Sequence, residues 1–359
     1  MKNKSKLIYL FLFLVVVIGG IITVNLLFKK GNITRKTINN NEVSIVLSLE
    51  DKIQDDTLWC GTMNLIWNDL KNDLAKQDIV FKPQLEVVDN LNKGTFNTNY
   101  LSENAYYKVY GVPSLKFKKQ IEEAIKEKFN ETSDILDDFN WSEAKEEDFF
   151  LYVMLKKAFE YPKKFKELPN GVFKDSKNIK YFGIDEDNKD LDLLNQIKVL
   201  YYKNIDEFAF KLFTKSNDEI IFAKGIEESS FINTYTKITE LASNYNKIDL
   251  KKKEIVKIPY LDFKVKSGFP EIENKVFNFA DGKEYYIEKA LQTIQLELTE
   301  TGGKIKSEAG MMVKNLSMPM VNEEIRSFIL NDTFTMFLIE QNKDLPYFAA
   351  KINDIKKFQ

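Results

Sequence analysis

Along LQTIQLEL, residues 291–298, apolar and polar positions alternate, and Ile294, Leu296 and Leu298 share one face, the period of a half-buried strand. Two adjacent glycines, Gly302 and Gly303, follow. Past them the alternation resumes, with Ile305, Ser307 and Ala309 on one side and Lys304, Lys306 and Glu308 on the other. The pattern predicts that the segment after the glycine joint is itself able to become a strand. Short apolar runs predict further strands at 43–49, 149–155, 197–203, 208–214, 219–225, 255–266 and 285–298, and a hairpin over 333–352 around the turn QNKD. Helical spacing places Trp59, Met63, Ile66, Trp67, Leu70 and Leu74 on one stripe, predicting a helix over 58–76. Further helices are predicted at 115–129 and around 230–245. Together these elements predict an α+β domain without internal repeats.

The N-terminal pattern differs in kind. Residues 7–28 are an almost unbroken apolar run, long enough to cross a bilayer as a helix, with lysines on both flanks. No small-residue cleavage site and no lipid-accepting cysteine follow, so an uncleaved signal anchor is expected. Residues 31–42 are polar and without period. The expected organisation is an anchor over 1–30, a tether over 31–42 and a folded body over 43–359, held at the membrane on the outer side of the cell.

Composition narrows the chemistry. The chain has 52 basic and 54 acidic side chains, which excludes a strongly basic nucleic-acid binder. It has no histidine, so histidine-based triads and metalloprotease motifs are excluded. The single cysteine, Cys60, has no histidine to activate it and reads as an apolar thiol in the core. In the acidic loop 185–192, Lys189 falls where a calcium loop needs a ligand. Glu122 with Glu123, and Asp137 with Asp138, are sequence neighbours that do not converge on one point. Gly302 and Gly303 are not followed by the Lys-Ser or Lys-Thr pair of a phosphate cradle. No catalytic residue, metal ligand or cofactor site is predicted, and the chain is not expected to be an enzyme.

Four segments, in order and at similar spacing, resemble the serpin family over about residues 149–359. AFEYPKKF (158–165) resembles a family strand end, with Tyr161 where tryptophan is usual. VKIPYLDFKV resembles a strand that follows it, IEKALQTIQLELTETGGKIKSEA the strand leading into the reactive loop, and LNDTFTMFLIEQNKDLPYFAAKI the closing hairpin. The resemblance implies a serpin-like fold: a helical N-terminal half, large mixed and antiparallel sheets, and an exposed reactive loop. It implies a hinge at Glu300, Gly302, Gly303 and Ile305, a bait bond at Leu316–Ser317, and Gln292 at a position beneath the sheet opening where histidine is common. Gly303 replaces a small hydroxyl residue, and Ile305 with Lys306 replaces a run of alanines. The implied partner is a serine or cysteine protease, whose cut would let the loop insert into the main sheet. A monomer is expected. A non-inhibitory serpin-fold module of the cell envelope is the alternative function.

Overall fold

The structure, a computed structural model, describes residues 36–38, 42–142, 145–304 and 325–359. The chain divides into two units, Met1–Arg35 and Lys36–Gln359, and every element below belongs to the second. The architecture is α+β.

Sheet one runs in the order β1 (Lys36–Ile38), β13 (Leu261–Gly268), β16 (Leu291–Thr299), β17 (Gly302–Lys304) and β6 (Ala158–Glu160). Separated from β6 by two residues is β5 (Phe150–Leu155), which pairs antiparallel with β4 (Tyr106–Gly111). Sheet two has the order β2 (Ser44–Ile45), β3 (Thr57–Cys60), β20 (Phe348–Ile352), β19 (Phe334–Glu340), β11 (Asp218–Lys224), β10 (Glu207–Phe213) and β9 (Ile197–Asn204). Sheet three is β18 (Ser327–Ile329), β12 (Ile255–Pro259), β8 (Ser176–Ile184) and β7 (Lys166–Phe173). A small hairpin pairs β14 (Val276–Asn278) with β15 (Glu284–Tyr286). The helices are α1 (Thr62–Asp69), α2 (Glu86–Asn92), α3 (Leu115–Phe129), α4 (Leu191–Asn195) and α5 (Phe231–Ser243).

Burial explains why these residues take these places. Strand β19 is buried at every position, as a central strand covered on both faces must be, and its sequence is accordingly almost all apolar. Strand β16 alternates: Ile294, Leu296 and Leu298 enter the same core as Phe337 and Ile339 of β19, while Gln295 is exposed. On β5 the alternation sends Phe150, Tyr152 and Met154 outward, under Ile121, Ile125 and Phe129 of α3. Helix α3 matches its predicted bounds because both ends are signalled locally. The Ser114 side chain accepts from Phe117 N at one end, and Asn130 takes a left-handed conformation at the other.

Several elements differ from the sequence expectation. The stripe over 58–76 divides: Trp59 and Cys60 belong to β3, paired with β20, and α1 begins only at Thr62. The predicted strand 43–49 reduces to Ser44–Ile45. The run 255–266 breaks at Tyr260 into β12 and β13, and 285–298 holds the end of β15 and most of β16. Strand β1 falls inside the stretch read as a tether; it runs parallel to β13 and its Ile38 is buried.

Candidate functional site

The glycine joint is a strand. A tight turn at Thr299–Gly302, closed by Thr299 Oγ1 donating to the Gly302 carbonyl at 3.0 Å, folds β17 back along β16. On one side Gly303 pairs with Leu298 and Lys304 with Glu297; on the other, Gly303 pairs with Phe159 and Lys304 with Ala158. Strand β17 is thus antiparallel to both neighbours, and β16 and β6 stand two strand spacings apart, about 10 Å. The fit requires glycine. Gly302 has φ +146°, and a Cβ there would lie 2.2 Å from the Phe159 carbonyl oxygen. At Gly303 it would lie 2.6 Å from the Glu297 carbonyl oxygen. Both glycines are buried, whereas Lys304 is exposed, its Nζ 3.7 Å from Glu297 Oε2. Among the described residues the ladder stops at Lys304. There, Leu291–Leu296 of β16 pair only with β13, and β5 pairs only with β4.

The turn that launches β17 is held by the segment after β6. Backbone N–H groups of Tyr161 and Phe165 donate to the carbonyls of Thr301 (3.0 Å) and Glu300 (2.9 Å). The Glu300 carboxylate lies 3.0 Å from Lys164 Nζ and also accepts from Tyr260. Burial would raise its pKa, but the bonds from Lys164 and Tyr260 hold it below the usual glutamate range. Tyr161 is buried edge-on to Phe165, and its hydroxyl has no hydrogen-bond partner. Burial and the neighbouring Glu300 charge push that phenol well above its ordinary pKa.

Gln292 sits on the inward face of β16, at the end far from the glycines. Its Nε2 donates to the Cys60 carbonyl at 3.0 Å and to Thr62 Oγ1 at 2.7 Å, tying β16 to the junction of β3 and α1. Its Oε1 is buried without a partner. Cys60 is half-buried, and burial pushes its thiol up to about 11, the opposite of an activated nucleophile. Glu300, Gly302 and Gly303 therefore cluster with Tyr161 and Lys164, and Gln292 stands apart from them on the same strand. Ile305, Leu316, Ser317 and residues 7–28 lie outside the described residues. Among the described residues no helix is long and apolar enough to cross a membrane, and no group of acidic or cysteine side chains could hold a metal ion. In the acidic loop, Asp190 caps α4 and pairs with Lys163, and Asp185 pairs with Lys166.

Two arrangements escaped the sequence reading. Just before β18, Arg326 is buried: its guanidinium grips Glu254 at 2.7 and 2.9 Å and donates to the carbonyls of Lys247 and Asp249 and to the Tyr245 hydroxyl. The chain has only two arginines among 52 basic residues, so an arginine in the body was the available signal. The second is a buried lysine, Lys157, at the step between β5 and β6, bonded to Asp218 and Glu340. Its sequence context, a Lys-Lys pair, reads as surface and gives no signal.

No family model matches the sequence, and no curated protein matches it. Solved structures similar to this chain are serpins. Thyroxine-binding globulin in complex with thyroxine is 10% identical, with a TM-score of 0.41, over 74% of this chain and 85% of that one. SRPN18 from Anopheles gambiae is 10% identical, with a TM-score of 0.42, over 72% and 79% of the two chains. Serpin48 from the insect Tenebrio molitor is 11% identical, with a TM-score of 0.39, over 71% and 78%.

Proposed function

We propose that this chain is a membrane-tethered, serpin-like inhibitor of a serine or cysteine protease, working by a bait loop cut near Leu316–Ser317. The observation that supports this reading is β17, a strand already seated between β16 and β6 and antiparallel to both. Continued one residue per step, its register sets Ile305 opposite Leu296, Ser307 opposite Ile294 and Ala309 opposite Gln292, all on the inward face of β16. Lys306 would stand opposite Gln295, which is exposed. Completed ladder bonds and burial of the inward face would drive insertion once the loop is cut.

The test is to nick the loop within 305–324 and compare melting temperatures before and after, in the parent, in Ile305→Asp and in Lys306→Asp. Nicking should raise the melting temperature of the parent and of Lys306→Asp. Ile305→Asp should show no gain, because a carboxylate on the buried face would cost several kcal/mol and oppose insertion. No gain in the parent would remove the inhibitory mechanism. It would leave a non-inhibitory envelope module, a reading that Ile305 and Lys306 in place of small residues favours.

The tether rests on residues 7–28, whose apolar run is bilayer-length. On fractionation the intact chain should remain with membranes. A soluble body whose N-terminus begins after residue 20 would sink the anchor.

A further inference from the structure

Strand β17 ends opposite Ala158, and the next residue back toward β5 is Lys157. Its side chain runs into the interior, only 3% exposed. There Nζ bonds to Asp218 of β11 and to Glu340 of β19 (2.6 Å), 4.6 Å from the centre of the Tyr347 ring. The anions are otherwise satisfied. Asp218 accepts from the Tyr347 hydroxyl (3.0 Å) and Ser216 Oγ (3.0 Å), and Glu340 accepts from Ser102 N and Oγ (3.1 and 2.6 Å). The preceding Lys156 points the other way and donates to the Phe129 carbonyl at the end of α3 (2.7 Å). Consecutive lysines therefore fasten one short step of chain to sheet two beneath and to α3 above.

A buried ionic group of this kind is a poor source of stability, since well-packed apolar side chains would serve as well or better. What it supplies is position. Apolar contacts are non-directional and tolerate sliding, whereas charge-assisted hydrogen bonds hold only within a narrow geometry. Lys157 sits on the step that joins β5 to β6, one residue before Ala158, the last partner of β17. We propose that Lys157 is a positioning residue, a pin that fixes β6 and the β4–β5 pair leading into it on sheet two and sets the width into which a further strand is received. This rests on the insertion reading above for its purpose, but the pin itself is testable without it.

The experiment is amide hydrogen exchange on the whole chain, parent against the triple variant Lys157→Met/Asp218→Asn/Glu340→Gln, which leaves no unpaired charge in the core. Exchange over 106–111 and 150–160 should quicken on the order of tenfold, while β11, β19 and β20 keep their protection. Tyr347→Phe, which retains the ring and removes one hydroxyl, should move the same segments in the same direction by less, and covers the case in which the triple variant does not fold. Exchange that rises equally in both sheets, or nowhere, overturns the pin and leaves Lys157 as core packing. Localised exchange in the variants with no melting-temperature gain on nicking the parent would keep the pin and discard insertion.

Discussion

Replacing Arg326 with methionine is expected to cost roughly 3–5 kcal/mol of unfolding free energy, because it strands Glu254 as an uncompensated buried charge. Glu254 is 2% exposed and would keep only backbone donors, from Lys251 at 2.8 Å and residue 326 at 3.4 Å. The carbonyls of Lys247 and Asp249 would lose their donors as well. Arg326→Lys should recover only part of the loss, since a compact ammonium cannot span both carboxylate oxygens and both carbonyls. The double variant Arg326→Met/Glu254→Gln should recover more, because the stranded charge is gone. Denaturant unfolding of the three variants checks this. A loss below about 1 kcal/mol for Arg326→Met, the scale of an exposed ion pair, would show that the clamp contributes nothing as a buried one.

The second large effect is expected at Gly302. Alanine there must hold a backbone angle that L-residues avoid, at about 1–3 kcal/mol. It must also displace the Phe159 carbonyl and Glu160 Cα, which a Cβ would approach to 2.2 and 2.7 Å. Overpacking of that kind costs about 1–3 kcal/mol more. The cheapest escape is for β17 to leave the ladder, so the loss should be local. Gly302→Ala should sharply increase exchange and proteolytic cutting around 300–304, with a smaller fall in the global melting temperature. Unchanged protection of those amides would mean that β17 is not seated between β16 and β6. A variant that releases β17 should also lose any stabilisation on nicking, because the ladder would have no first rung from which to extend.

Elements whose partners are local in sequence could be read from the chain. Helix α3 carries its own cap residues, and β10, β11 and the β19–β20 hairpin announce themselves through short, mostly apolar runs. Elements decided by distant partners could not. Trp59 fits a helical stripe with Met63 equally well; only pairing with Ala349 makes it a strand residue. β17 has glycines at two of its three positions and no strand propensity, and it exists because Leu298 and Phe159 flank it. The glycines were visible as a special place, but as a joint rather than a rung. Gln292 was legible as an inward residue of β16, whereas its bonds to Cys60 and Thr62 bridge two distant parts of the sequence. Lys157 gave no signal and Arg326 only its rarity, for one reason: charge patterning predicts solvent, and only the three-dimensional neighbourhood shows a charge that is buried and paired.

The strand order of sheet two also bears on how the chain reaches its native state. β3, near the start of the folded unit, has β20 as its antiparallel neighbour, and Cys60 is matched with Phe348. Asp56 then accepts from the amides of Asn353 (2.6 Å) and Asp354 (2.8 Å), sealing the same seam. During synthesis, which runs from the N-terminal side, β3 must wait with an exposed ladder edge until the chain has been made through β20. Long-range pairing of this kind is slow and leaves intermediates prone to association. The seam between β3 and β20 therefore closes late in the folding of each molecule. A chain halted before Phe348 would leave β3 without its antiparallel partner.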